Sequence, residues 1–408
     1  MRKVILSTFA FIVSLSIIPG CEITIPDDYC SYQDTVITEK FELTEDLLST
    51  TINLHKTDII ATSGDNLLRL ANDSLYMSND LGASWKSLLN TIGDISFVHW
   101  FKDQSCLICG RSKSYWVDTS FSELHRSIVY DYNGEALDDN SPHFYTSLHG
   151  HNDFELFQGK ESLIWPDYFG DVNGYISRVW MTDDCGRTLK CICKNRETKD
   201  INGVLISCRH FHDCAIREGY NEIYITSGDN GNQCMLVKGS FMNDNWVFEI
   251  IGKGTLFKFD SVTIEDSYLY LLCDYTGYGK TGLLRVDISG ADNINNYEYV
   301  YTCPSNLPLI RYYEIGQYSF IIYDGSVRGK ILCSVDKETF NNLDITFDNK
   351  KSSISFLTNQ NNAGQVLMRI GNGYDISNLK LNDCMYDFSG AMEDVGFPGF
   401  RKTYTWMP

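Results

Sequence analysis

The sequence predicts an all-β chain built from repeated four-stranded sheets, and three observations lead there. Aromatic residues are abundant, with 25 Tyr, 22 Phe and 7 Trp in 408 residues, and aromatics favour strands. Long runs with the Ala/Leu/Glu/Lys spacing of surface helices are scarce. Short apolar segments closed by turn signals recur about every fifty residues, the length of one four-stranded unit.

The chain begins with Arg2 and Lys3, an uncharged apolar run from Val4 to Ile18, and then Pro19-Gly20-Cys21. A charged start, an apolar run and a small residue before a cut describe a secretory signal peptide over residues 1–20. Gly20-Cys21 resembles the lipobox of bacterial lipoproteins, with Pro19 an unusual occupant of its position. The resemblance implies lipidation at Cys21, a tether over residues 21–33 and a place in the bacterial cell envelope, at the outer membrane or surface; plain secretion or a retained anchor is the alternative. The apolar run falls short of the roughly twenty residues a spanning helix needs. Contact with a membrane is therefore expected through a lipid anchor only.

A formal charge of −19 argues against nucleic acid or an anionic membrane surface as a partner, since binding polyphosphate needs a basic surface. Fourteen cysteines are many for an exported chain. Cys106-Leu-Ile-Cys109 is a lone CxxC without the second pair of a zinc ribbon. Cysteines ending apolar strands, such as Cys273 and Cys333, read as buried small hydrophobes, and no disulfide is assigned.

Ser78-Asn-Asp80-Leu-Gly82-Ala-Ser84-Trp85 places Asp, Gly and a hydroxyl where a hairpin needs a carboxylate for turn N–H groups and a residue tolerant of positive φ. Thr182-Asp-Asp184-Cys-Gly186-Arg-Thr188-Leu189 repeats the pattern with Leu for Trp, and Ser334-Val-Asp336-Lys-Glu-Thr339-Phe340 is a shorter third copy. This pattern resembles the Asp-box of the sialidase-like BNR-repeat proteins. The resemblance implies a β-propeller with the three aspartates at peripheral turns. Blades then cover roughly 48–90, 93–133, 147–196, 206–252, 255–303 and 308–348. A last unit would combine Ile354-Ser-Phe, Val366–Ile370 and Leu379–Leu381, with Val36–Phe41 as its outer strand. The expectation is seven blades over residues 34–382, with 383–408 as a C-terminal extension. Six blades is the alternative. Thr62-Ser-Gly-Asp-Asn66 and Thr226-Ser-Gly-Asp-Asn230, with Cys273-Asp274 and Tyr323-Asp324, are expected to close corresponding strands.

The candidate site lies in the third and fourth blades. His149-Gly-His151-Asn-Asp153 and His210-Phe-His212-Asp213 each carry two imidazoles two residues apart. A strand sends alternate side chains to one face, so each pair points the same way about 6 to 7 Å apart. Apolar strands ending in Asp167-Tyr168 and in Gly228-Asp229 follow the two copies. First strands of blades line a propeller's axis, so His149, His151, His210 and His212 should converge there, with Asp153, Asp167, Asp213 and Asp229 near them. Imidazole and carboxylate are ligands that Zn or another divalent metal favours. The bland alternative is that these side chains hydrogen-bond backbone and turns. Cys191-Ile-Cys193 falls on an outer strand, too far from the axis to join them.

The order of His-x-His, degenerate box and second His-x-His is similar to a group of bacterial BNR-repeat proteins with no established activity. A sialidase needs three arginines on a carboxylate and an Arg-Ile-Pro segment, which is not present. Polysaccharide lyase chemistry fits better, with His149 or His210 as base, Tyr168 as acid and Arg209 as clamp. The alternative is a non-catalytic glycan- or protein-binding propeller that uses Trp100, Trp116, Trp165 and Tyr168. A glycan is the expected partner in either case.

Overall fold

The computed structural model describes residues 38–42, 59–63, 66–71, 74–80, 84–90, 95–110, 113–118, 123–137, 155–167, 176–228, 231–273, 281–290, 294, 297–303, 309–315, 318–323, 330–334, 337, 339–346, 352–356, 367–372, 384–387 and 406–407. Their strands form seven sheets in chain order. Sheet 1 is Ile59–Ser63, Asn66–Ala71, Ser74–Ser78 and Lys86–Asn90; sheet 2 is Ile95–Trp100, Cys106–Gly110, Ser114–Val117 and Leu124–Arg126. Sheet 3 is Glu155–Phe157, Lys160–Pro166, Arg178–Thr182 and Thr188–Lys194; sheet 4 is Phe211–Arg217, Glu222–Ser227, Met235–Met242 and Asn245–Lys253. Sheet 5 is Phe259–Glu265, Tyr268–Cys273, Gly282–Asp287 and Tyr297–Thr302; sheet 6 is Leu309–Ile315, Tyr318–Tyr323, Lys330–Ser334 and Asn341–Thr346. Sheet 7 is Ser352–Phe356, Leu367–Asn372, Cys384–Asp387 and Trp406–Met407.

Each sheet is an antiparallel meander, and first strands pack against the first strands of neighbouring sheets, as 211–217 does against 259–265 and 259–265 against 309–315. Apolar cores fill the space between sheets 1 and 2, 2 and 3, 3 and 4, 4 and 5, and 5 and 6. This is the sheet order and face-to-face packing of a β-propeller. Burial follows from it. Phe211–Arg217 is buried at every position, because sheets cover both its faces, whereas the outer Asn245–Lys253 is only partly covered. A fully buried Leu or Ile contributes about 1.5–3 kcal/mol, so the inner strands hold most of the cohesion. Tight turns join the strands. Asn243 and Asp244, at φ 51° and 61°, form the two-residue turn between Met242 and Asn245, and residues tolerant of positive φ suit such primed turns.

The edges depart from the sequence expectation. Ile128–Tyr130, expected in the second blade, pairs in parallel with Thr188–Lys194 at the edge of sheet 3. Thr38–Glu42 pairs in parallel with Asn341–Thr346 of sheet 6, and so does not complete the last unit. Sheet 7 takes its third and fourth strands from Cys384–Asp387 and Trp406–Met407, within the span expected to be an extension. Ser63 ends a first strand while Ser227, Cys273 and Tyr323 end second strands, so the two Thr-Ser-Gly-Asp-Asn segments are not equivalent. Among the described residues, no helix is long and apolar enough to cross a membrane.

Candidate functional site

The first strand of sheet 4 builds the described half of the site. Its register with the second strand shifts between Phe211 and Asp213, which leaves His212 as the extra residue of a β-bulge. The same shift recurs near the start of the first strand in sheets 1, 2, 5 and 6, where the extra residues are Ile60, Ser96, Asp260 and Ile310. A bulge bends its strand and re-aims the neighbouring side chains. The rings of His210 and His212, on either side of the start of this bulge, lie 4.9 Å apart between centroids at 37°.

His210 and His212 are both buried. His212 Nδ1 lies 2.8 Å from the carbonyl oxygen of Phe259. A carbonyl only accepts, so Nδ1 carries a proton, and the ring orientation is set by the neighbouring sheet. Asp260, also buried, places Oδ1 3.7 Å from the same nitrogen. The sequence reading missed Asp260. Its signal was positional, because Phe259-Asp260-Ser261 opens the fifth sheet as Phe211-His212-Asp213 opens the fourth. His210 is fixed through its backbone, its carbonyl accepting from Gly228 N at 3.1 Å. Gly228 has φ 105°, and a Cβ there would meet Gln233 O at 2.2 Å, so only glycine fits.

Asp213 is fully buried. Its Oδ1 accepts from Cys214 N at 2.9 Å, and its Oδ2 accepts from Ser261 Oγ and Val262 N, both at 2.9 Å. The carboxylate therefore ties sheet 4 to sheet 5. Asp167, buried at the end of the second strand of sheet 3, donates its N–H to Arg178 O at 2.7 Å, and its own carbonyl accepts the Ser177 hydroxyl. Ser177 Oγ in turn accepts from Phe211 N at 3.4 Å. This serine, another residue the sequence reading missed, links Asp167 to the histidine strand. Arg209 is exposed beside His210. His149, His151, Asp153, Tyr168 and Asp229 lie outside the described residues. Among the described residues, no three His, Cys, Asp or Glu side chains are grouped to hold a metal.

The aromatic candidates are placed differently. Trp100 and Trp165 are buried in the cores between sheets. Trp116 is stacked by His125 on one side at 4.3 Å and approached by the Arg187 guanidinium at 4.9 Å. Trp100 and Trp165 are packing elements and offer a sugar no open face, whereas Trp116 is half-buried. Cys191 and Cys193 sit on the fourth strand of sheet 3, and burial pushes the Cys193 thiol up to about 12. Ten of the described cysteines, between Cys106 and Cys303, are thiols outside any disulfide.

Two of the three Ser/Thr-x-Asp segments form the hairpins expected of them. Asp80 accepts from Ser84 N at 2.8 Å and from the Ser78 and Ser84 hydroxyls, each at 2.7 Å, between the third and fourth strands of sheet 1. Those hydroxyls and the amide lower its carboxyl to about 2. Asp184 repeats the device in sheet 3, accepting from Thr188 N at 2.8 Å and Thr188 Oγ1 at 2.6 Å. Both aspartates lie on outer hairpins away from the first strands. Asp336 lies outside the described residues.

No family model matches this chain, and no curated protein matches it. Among solved structures it is similar to YCF48 bound to a D1 peptide, at 14% identity over 80% of this chain and 94% of that one, with a TM-score of 0.46. An ancestral GH74 enzyme is similar at 12% identity, over 78% of this chain and 46% of that one, with a TM-score of 0.47. The extracellular domain of a putative one-component system of B. thetaiotaomicron is similar at 11% identity over 78% of this chain and 40% of that one, with a TM-score of 0.46. All three are β-propeller proteins. Likenesses this distant carry no information about ligand or reaction.

Proposed function

We propose that the protein is an exported propeller of the bacterial cell envelope, lipidated at Cys21, that recognises a glycan on the axial side of its third to fifth sheets. In this reading the seven sheets close into one seven-bladed ring of the Asp-box kind. The observation that carries the site is the pair of buried imidazoles at a first-strand bulge, His210 and His212, with Asp260 of the next sheet behind them. Arg209 supplies an exposed cation at the same strand end. His149, His151, Asp153, Tyr168 and Asp229 complete the constellation in this proposal. Two imidazoles and a guanidinium recognise hydroxyl and carboxylate groups, the polar chemistry of a glycan.

Cleavage is the stronger form of the reading. His210 takes a proton next to a uronate carboxylate held by Arg209, and Tyr168 returns one to the leaving oxygen. In the alternative form, His149, His151, His210 and His212 would hold Zn or another divalent cation that would polarise that carboxylate, and His210 would then be a ligand and not the base. The second reading is a non-catalytic recognition module, favoured by the burial of both described histidines. Neutral, sialylated and uronate-containing glycans, read for new reducing ends and for unsaturated-uronate absorbance, separate these readings. A product that disappears in His210→Ala/His212→Ala supports catalysis, binding without product supports the recognition module, and neither binding nor product on any glycan overturns both. Metal analysis of the purified protein and of that variant tests the cation.

A further inference from the structure

The outer strands of sheets 3, 4 and 5 share one irregularity. Their register with the third strand shifts so that Ile192, Ile251 and Val300 are each an extra residue. A bulge placed alike in each strand fixes which residues turn their N–H and C=O groups to the neighbouring strand and which to the free edge. The residues three before it, Leu189, Phe248 and Tyr297, are therefore equivalent. In sheet 4 the carbonyl of Phe248 accepts from Ile201 N at 2.7 Å, and Phe248 bridges in parallel to Asp200. In sheet 3 Leu189 is the centre of the parallel pairing with Ile128–Tyr130, opposite Val129. Both positions face the edge, and both are met there by polypeptide running parallel. Sheet 6 repeats the arrangement, its outer strand taking Thr38–Glu42 in parallel.

Sheet 5 stands between sheets 4 and 6 and differs from them. Among the described residues, no segment pairs with the outer side of Tyr297–Thr302. Leu189 and Phe248 are 0% and 2% exposed, whereas Tyr297 is 45% exposed. The Tyr297 and Tyr299 rings lie 6.0 Å apart, edge to face. Glu298 is tied to Arg285 of the third strand, which offsets the strand's one charge. An edge guarded against pairing carries Lys or Pro or is very short. Tyr-Glu-Tyr-Val-Tyr-Thr has neither Lys nor Pro and consists of strong strand formers apart from Glu298. Its bulge does not close the edge either, because in sheets 3 and 4 the added segment pairs ahead of the bulge.

We propose that the outer edge of sheet 5 is a docking site for an extended segment of a partner protein, which adds in parallel beside Tyr297 as a further strand. The occupant follows from the molecule's own edges, since what covers the equivalent position on sheets 3 and 4 is a parallel stretch of polypeptide. Main-chain hydrogen bonds supply the hold in such strand addition, and alternate side chains supply the selectivity. The register of sheet 3 places a β-branched residue opposite Tyr297, as Val129 is opposite Leu189, and an uncharged one opposite Glu298, as Tyr130 is opposite Lys190. A second copy of this chain is opposed by the charge of −19 that each copy carries. The inference is independent of the glycan site.

The test uses the full-length protein and a labelled peptide of residues 126–132, Arg-Ser-Ile-Val-Tyr-Asp-Tyr, read by fluorescence anisotropy. The same peptide with Val129→Pro, which cannot pair as a strand, is the control. The protein is expected to bind the first peptide and not the second. Tyr297→Pro removes an edge-facing N–H, a change that edge strands tolerate, and is expected to weaken binding about tenfold or more. Tyr297→Thr keeps that N–H and should bind within about threefold of the wild type. The peptide control tests the pairing from the ligand's side, so the proposal stays falsifiable even if Tyr297→Pro fails to fold. Absence of binding to the first peptide overturns the proposal, as does equal binding of the two peptides or undiminished binding by folded Tyr297→Pro. Self-association that Tyr297→Pro abolishes, without peptide binding, makes the edge an interface between copies and also overturns it. The glycan assays are unaffected by any of these results.

Discussion

Asp213 and His99 show how a single polar side chain acts in opposite ways inside this fold. Asp213 gathers two backbone amides and a hydroxyl from two sheets. Removing it leaves buried donors without an acceptor, each at a cost of about 1–3 kcal/mol. Asp213→Ala is therefore expected to lower unfolding stability by about 3–5 kcal/mol in a denaturant titration, and Asp213→Asn by about half, since the amide keeps one acceptor. His99 is buried in the first strand of sheet 2 against Phe101, with ring centroids 4.9 Å apart. Burial lowers its pKa from 6.5 to about 3. Between those values the unfolded chain binds a proton that the folded chain refuses. Its contribution is thus complete above pH 6.5 and is lost as pH falls from there toward 3, at up to about 1.4 kcal/mol per pH unit. Stability measured against pH should flatten over that window in His99→Phe.

At the scale of the element, the repeated bulge decides what the first strands present. The same register shift places Ile60, Ser96, His212, Asp260 and Ile310 at one position in five sheets. Polarity at that position is confined to sheets 2, 4 and 5, and His212 and Asp260 of adjoining sheets are the pair that meets. The turn after the second strand supports the arrangement. Gly228 donates to the His210 carbonyl and sits where a Cβ collides with backbone. Gly228→Ala is expected to cost about 2–4 kcal/mol from strain and close contact. It should also weaken glycan binding more than its loss of stability explains, because His210 moves with it. Melting curves and binding isotherms on the same preparation check both.

At the scale of the whole molecule, neighbouring sheets are joined by polar staples as well as by their cores. Arg217, buried, reaches Glu222 Oε2 at 2.9 Å within sheet 4 and the Ile288 carbonyl of sheet 5 at 2.7 Å, with the Tyr220 ring 3.7 Å from its guanidinium. Lys102 N donates to Glu161 Oε1 at 2.7 Å between sheets 2 and 3. Sheets held this way should unfold as a unit, so the number of blades can be tested by truncation. Removing residues 384–408 deletes the third and fourth strands of sheet 7. A seven-bladed ring should then lose its single cooperative melting transition. A six-bladed ring with an appendage should keep it within a few degrees.

The strand-rich class, the unit length and the turn chemistry at Asp80 and Asp184 were legible in the sequence, because each depends on local residue type: aromatic and β-branched strands, a carboxylate for turn amides, a glycine where φ is positive. The spacing of two between His210 and His212 is in the sequence, but the bulge at His212 breaks the alternation and decides how the two rings meet. Contacts that cross from one sheet to the next were not legible. Asp260 behind His212, Asp213 as an inter-sheet tie and Ser177 between Asp167 and Phe211 depend on which first strands pack together and where each strand bulges, which residue spacing does not encode. The edges were decided at the same level. Thr38–Glu42, charged at three of its five positions, and the apolar Ile128–Tyr130 carry no signal for a particular partner, and only the position of an open parallel edge on sheets 6 and 3 selected it. Local chemistry determines that a segment becomes a strand or a turn, and the packing of sheets around their first strands determines which polar side chains meet.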